Sequence, residues 1–118
     1  MMQCMSSKQQ RRNMSGEALE MIAARFKALS EPTRLKLIIA LEGGEKNVTE
    51  LMELVGATQT NTSRHLQNLT DSGILARRKE GLNVFYFIAD KSIFELCDHV
   101  CGSLERRFQS QQNAFRGE

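Results

Sequence analysis

Cysteine is scarce in this 118-residue chain: Cys4, Cys97 and Cys101 are too few and too unevenly placed for a disulfide scaffold. No run of 18 apolar residues occurs, which excludes a membrane-spanning helix. The first 17 residues lack the apolar stretch of a secretory signal. A soluble cytoplasmic protein with reduced thiols and no membrane partner is therefore expected. The sequence also lacks a glycine-rich phosphate loop, an acid/base pair, and a nucleophile with a base at recognisable spacing. Cys97 and His99 are near neighbours, but they point to different sides of a helix. No enzyme is expected.

Hydrophobic residues make up 41% and charged residues 25%, values that suit one soluble globular domain. The net charge is only +2, so its distribution matters more than its size. Residues 1–16 hold Lys8, Arg11 and Arg12 and no acid. Residues 41–57 hold Glu42, Glu45, Glu50 and Glu53 against Lys46 alone, whereas residues 58–79 hold Arg64, Arg77, Arg78 and Lys79 against Asp71. Positive charge gathered in one stretch implies an anionic partner for one face.

Residues 1–14 show no sustained periodicity and are expected to be a mobile arm. Leu19, Ile22, Ala23, Phe26 and Leu29 define a first helix over 17–29, capped by Ser15. Ser30 suits the N-cap of a second helix with Pro32 in its first turn. Leu35, Leu37, Ile38, Ile39, Ala40 and Leu41 place that helix at the centre of the core, and Gly43 and Gly44 end it. Thr49 caps a short third helix closed by Gly56, and a fourth follows over 59–71. Two short helices joined by a glycine-containing turn have helix-turn-helix anatomy. The fourth helix carries Gln59, Thr60, Asn61, Thr62, Ser63, Arg64, His65, Gln67 and Asn68, middling helix formers that hydrogen-bond base edges and phosphates well.

Residues 74–88 then read as a β-hairpin bent at Gly81, with Arg77, Arg78 and Lys79 beside the bend. A last helix over 92–110 bears the stripe Ile93, Cys97, Val100, Leu104 and Phe108, longer than so small a core can cover. A surplus apolar stripe on a terminal helix argues for a second copy. The expected fold is mainly α with a β-hairpin wing (α+β), in the order α-α-α-α-β-β-α. This is a winged helix-turn-helix over residues 15–110, homodimeric through its first and last helices, with a frayed tail at 111–118.

These motifs resemble the ArsR/SmtB family of bacterial repressors. Leu29-Ser30-Glu31-Pro32-Thr33-Arg34-Leu35 is similar to the family's second-helix signature, and Thr62-Ser63-Arg64-His65-Leu66 to its recognition-helix core. Asp71-Ser72-Gly73-Ile74-Leu75 and Arg77-Arg78-Lys79-Glu80-Gly81, with the aromatic run to Ile88, resemble its wing. The resemblance implies a homodimeric repressor that binds an imperfect palindrome in double-stranded DNA and leaves it on meeting an inducer. Gln59, Thr60, Asn61, Ser63, Arg64 and His65 would then face the major groove, while Arg77, Arg78 and Lys79 reach backbone or minor groove. Arg34 and Lys36 would add phosphate contacts.

The family's familiar metal sites are broken here. Val48-Thr49-Glu50-Leu51-Met52-Glu53-Leu54 has no cysteine where arsenite- and cadmium-responsive members carry one. The last helix has Asp98, His99 and Glu105 but no second histidine for a zinc or nickel site, and the second helix lacks the cysteine of persulfide sensors. Cys97 and Cys101 remain, four apart on one helical face with Cβ atoms ~6 Å apart, too far for an unstrained disulfide. With Cys4 as third ligand they would form a trigonal site for As(III) or Sb(III). They serve equally well as small packed hydrophobes. His65 also admits a structural role, and the cationic run a solubilising one. Two alternatives to an inducible repressor stand beside it: a winged-helix module for protein association, and a constitutive regulator that senses nothing.

Overall fold

The computed structural model describes residues 7–116, and the side chains of residues 8–112. Among the described residues, six helices and three strands follow one another as α1 (Ser7–Arg12), α2 (Gly16–Ala28), α3 (Pro32–Leu41), β1 (Lys46–Asn47), α4 (Val48–Val55), α5 (Gln59–Asp71), β2 (Leu75–Glu80), β3 (Asn83–Ile88) and α6 (Ile93–Arg116). The sheet is antiparallel with order β1-β3-β2. Cys4 and the rest of residues 1–6 lie outside the described residues.

The ends of the elements follow from local chemistry. Ser15 caps α2 as expected, its hydroxyl accepting from the Ala18 N–H at 3.1 Å. The expected Ser30 cap of α3 is corrected. Glu31 is the N-cap, its carboxylate accepting from the Arg34 N–H at 3.1 Å, and the Ser30 hydroxyl instead donates back to the Lys27 carbonyl. A carboxylate one residue nearer Pro32 reaches the free N–H groups of the first turn better than a hydroxyl one residue earlier. The Thr49 cap of α4 is corrected in the same way. Asn47 and Glu50 form a reciprocal capping box, with bonds of 2.9 and 3.0 Å. The C-terminus of α3 also differs, since Glu42 is the C-cap and keeps helical backbone angles while, of Gly43 and Gly44, Gly44 alone has positive φ.

Three stretches are more ordered than the sequence pattern implies. Residues 7–12, expected within the arm, form α1, because Lys, Gln and Arg are good helix formers even without an apolar stripe. The terminal helix runs to Arg116 instead of ending near 110, with neither glycine nor proline between Gly102 and Arg116 to stop it. Strand β1 is two residues long and exists only by pairing Lys46 with Tyr86 and Asn47 with Phe85 on β3.

The core lies between α3, α4, α5 and the sheet. Leu37, Ile38, Leu41, Leu51, Leu66, Leu69, Ile74 and Leu75 are all buried, joined by Ala28, Tyr86 and Ile93. Each leucine-sized side chain removed from water contributes about 1.5–3 kcal/mol. Thr62 belongs to this interior, but its hydroxyl finds no hydrogen-bond partner among the described residues. Thr62→Val, which keeps the shape and removes the orphaned hydroxyl, is expected to add about 1 kcal/mol of stability. A thermal melt checks this, and a lowered melting temperature would show that the hydroxyl has a partner.

Two apolar stripes stay outside that core. On α2, Leu19, Ile22 and Phe26 are exposed, as are Val100, Leu104 and Phe108 on α6. Helix α3, expected at the centre of the core, is therefore not buried on every side, since Ile39 is 64% exposed and faces the same region. Phe26, Leu29, Leu35 and Ile39 oppose Leu96, Cys97, Val100, Cys101 and Leu104 across an open groove of about 490 Å³.

Candidate nucleic-acid interface

Helix α5 is split lengthwise by its burial. Thr62, His65, Leu66 and Leu69, at i, i+3, i+4 and i+7, face the core. Gln59, Thr60, Asn61 and Arg64 are exposed, with Ser63 half-buried. The Thr58 hydroxyl caps the helix by accepting from the Asn61 N–H at 3.1 Å. Gly56, at φ 69°, closes α4 in the left-handed conformation and turns the chain toward α5, a geometry a β-carbon would strain. Arg64 donates to the Asn61 side-chain oxygen at 3.2 Å, which aligns both polar groups on the outer face.

His65 is corrected: it is not on this exposed face. It is 7% exposed, with Nδ1 3.2 Å from the Arg34 guanidinium and Nε2 3.5 Å from the Glu31 carboxylate. Burial holds its pKa below the usual imidazole value, and Glu31 only partly opposes this. A guanidinium has no lone pair to offer, so Nδ1 must accept and the neutral ring carries its proton on Nε2, toward Glu31. Partial burial works against ionised Glu31, yet the N–H groups of Thr33 and Arg34 and the nearby His65 hold its carboxyl below the ordinary range. The signal for His65 was in the sequence, because 62, 65, 66 and 69 share one helical face. Two polar members of that stripe conceal it.

The three wing cations divide. The Arg77 and Lys79 side chains are exposed and form no ion pair or hydrogen bond with the described residues. Arg78 is held: it bonds Glu45 through two nitrogens and Glu80 at 2.8 Å, and its guanidinium lies 4.8 Å from the Phe85 ring centre. The hydrogen bonds from Arg78 hold the Glu45 carboxyl below its ordinary range. With its charge already matched, Arg78 pins β2 to the approach of β1 and leaves the free wing cations as Arg77 and Lys79. Arg34 is likewise occupied, since it donates to the α2 carbonyls of Ala28 and Lys27. Lys36 is exposed.

Cys97 and Cys101 stand on one wall of the apolar groove. Burial, and then Asp98, push the Cys97 thiol up, whereas Glu105 does so for Cys101, whose Sγ lies 3.6 Å from that carboxylate. Both conditions favour protonated sulfur. Among the described residues no group of three His, Cys, Asp or Glu side chains could hold a metal ion. The two thiols therefore do not complete a metal centre there.

Two helices joined at Gly56, an outward polar face on the second, and a hairpin carrying free cations define a winged helix-turn-helix DNA-binding protein. Residues 31–77 match the family model of bacterial regulatory proteins of the arsR family. An uncharacterized HTH-type transcriptional regulator of Methanocaldococcus jannaschii is 38% identical over 88 residues, covering 71% of this chain and 99% of that one. The chain belongs to the arsR family and is a DNA-binding transcriptional regulator, not an enzyme. A probable mercury resistance operon repressor of Streptomyces lividans is 37% identical over 71 residues, 60% of this chain. The match spans 57% of that repressor's length. The homodimeric winged helix-turn-helix DNA-binding domain of a possible ArsR-family regulator from Mycobacterium bovis superposes with a TM-score of 0.69. That alignment has 26% identity and covers 92% of this chain and 95% of that one. No described helix is long and apolar enough to cross a membrane.

Proposed function

We propose that the chain is a cytoplasmic transcriptional repressor that binds a palindromic operator as a homodimer and releases it on meeting an inducer. The observation that carries this reading is the two-sided α5, which packs through Leu66 and Leu69 while Gln59, Thr60, Asn61 and Arg64 remain exposed. That face enters the major groove, and Arg77 and Lys79 contact phosphates or the minor groove. The apolar stripes of α2 and α6 support pairing of two copies, which sets two α5 helices one helical turn apart or a multiple of it. The homodimeric Mycobacterium bovis domain agrees with this arrangement.

De-repression is assigned to the groove walled by Cys97 and Cys101. Thiols there suit a thiophilic ion such as As(III) or Sb(III), or a thiol oxidant, and the mercury-resistance relative is consistent with that class. A second reading is a regulator whose thiols only pack. It is favoured by the raised thiol pKa values and by the lack of a third ligand among the described residues.

The test is fluorescence anisotropy on DNA from upstream of the protein's own gene, titrated with salt. Affinity is expected to fall steeply, with a log–log slope of about −0.9 per phosphate neutralised. Salt-indifferent or absent binding would overturn the DNA reading in favour of a protein-association module. Adding arsenite, antimonite or a mild oxidant to the wild type and to Cys97→Ser/Cys101→Ser then separates the two readings. Release that disappears in the variant assigns sensing to α6, and release by none of them assigns the thiols to packing.

A further inference from the structure

Helix α2 bears one of the two exposed apolar stripes, yet it enters the core only through Ala28. Two arginines bind it to the recognition helix. Arg25, on α2, donates to the Ser72 carbonyl at 3.0 Å and to Asp90 at 2.9 Å. Ser72 is the C-cap of α5. Arg34, in the first turn of α3, donates from Nε and Nη2 to the Ala28 and Lys27 carbonyls at 2.7 and 3.2 Å, at the end of α2. Its third nitrogen reaches His65 in the middle of α5. The two attachments on α5 are thus seven residues apart, about 10 Å along the axis. Contacts at two separated points on a rod fix its tilt as well as its position.

We propose that Arg25 and Arg34 are positioning residues that set the angle of α5 against the α2 surface, and so set the operator half-site spacing the dimer accepts. The inference rests on the homodimeric repressor reading above. Neither arginine needs to touch DNA. Each uses a fork of fixed geometry that a lysine cannot reproduce, because one ammonium does not span two acceptors in set directions. Ionised partners strengthen the attachment: hydrogen bonds from Ser92, and then from Arg25, hold the Asp90 carboxyl below its usual range. An agent or partner that moves α2 at Phe26 and Leu29 also moves the carbonyls that Arg34 holds, and with them α5.

The experiment measures affinity of the full chain for operators whose half-sites are moved apart in single base-pair steps, and for one isolated half-site. The wild type is expected to favour one spacing sharply. Arg25→Lys and Arg34→Lys are expected to lower that preference by at least about fivefold, the small end of coupling between sites, with unchanged affinity for the isolated half-site. A merely structural loss would weaken all the DNAs alike. Equal spacing preference in wild type and variants, or uniform weakening, overturns the proposal. If the variants do not fold, or the wild type binds no DNA, amide exchange of the wild type decides. Protection of residues 62–72 is expected to change together with that of α2 when the protein is diluted from dimer to monomer. Exchange in α5 that ignores α2 overturns the proposal even where the repressor reading stands, whereas coupled exchange without DNA binding overturns the repressor reading, and the spacing role with it, while the α2–α5 linkage stands.

Discussion

Arg64→Ala is expected to weaken operator binding by roughly ten- to a hundredfold at fixed salt, with the fold intact. Arg64 is exposed on the outer face of α5, where its side chain donates a 3.2 Å bond to the equally exposed Asn61. A good bidentate arginine contact to a base edge provides about 1–3 kcal/mol of discrimination. The loss should be sequence-selective, so the gap between operator and unrelated DNA narrows. Arg77→Ala makes the contrasting case. Its loss should fall on all DNA sequences alike and reduce the salt slope by about one. Anisotropy on operator and scrambled duplexes at several salt concentrations reads both. Equal weakening on both duplexes for Arg64→Ala would move that residue to the phosphates.

Leu66→Ala should destabilise the chain by about 2–5 kcal/mol, a large part of the whole stability of a small domain. Leu66 is fully buried where α5 meets α3 and α4, and alanine there leaves a cavity that three helices and a sheet cannot readily close. At about 4–8 °C per kcal/mol for a domain near 100 residues, the melting temperature falls by well over 10 °C. Leu54→Ala on α4 is the control. That leucine is 59% exposed, and its truncation should stay within about 0.5 kcal/mol. Chemical denaturation of the two variants side by side checks the pair. A mild effect at Leu66 would mean that the neighbouring helices collapse into the gap.

The architecture was legible because it rests on periodicity and punctuation. The Gly56 turn, the hairpin bent at Gly81 and the extent of α5 all follow from patterns within a few residues. Partner-dependent features were not. Strand β1 is too short to alternate and is defined by Phe85 and Tyr86, some forty residues on. The choice of Glu31 over Ser30 as a cap turns on which oxygen reaches the Arg34 N–H, and residue preferences alone do not decide between them. The polar and basic residues expected at the DNA on α3, α5 and the wing separate only in three dimensions. His65 turns inward to Glu31, Arg78 is matched by Glu45 and Glu80, and Arg34 serves the end of α2. Arg34 beside His65, Glu45 beside Arg78 and Ala28 beside Arg34 stand 31, 33 and 6 residues away and make those assignments. No local pattern carries them.

Asn47 belongs to two elements at once. It is the last residue of β1, paired with Phe85, and it is the N-cap of α4 through its box with Glu50. Arg78 stacks on the same Phe85. Because one residue serves both elements, on the proposed DNA-binding reading the reach from the wing tip to α5 is a ruler of constant length within each protomer. Accommodation to operators of different curvature then falls on the seam between protomers. A single inserted residue beside Asn47 would alter both reading heads together.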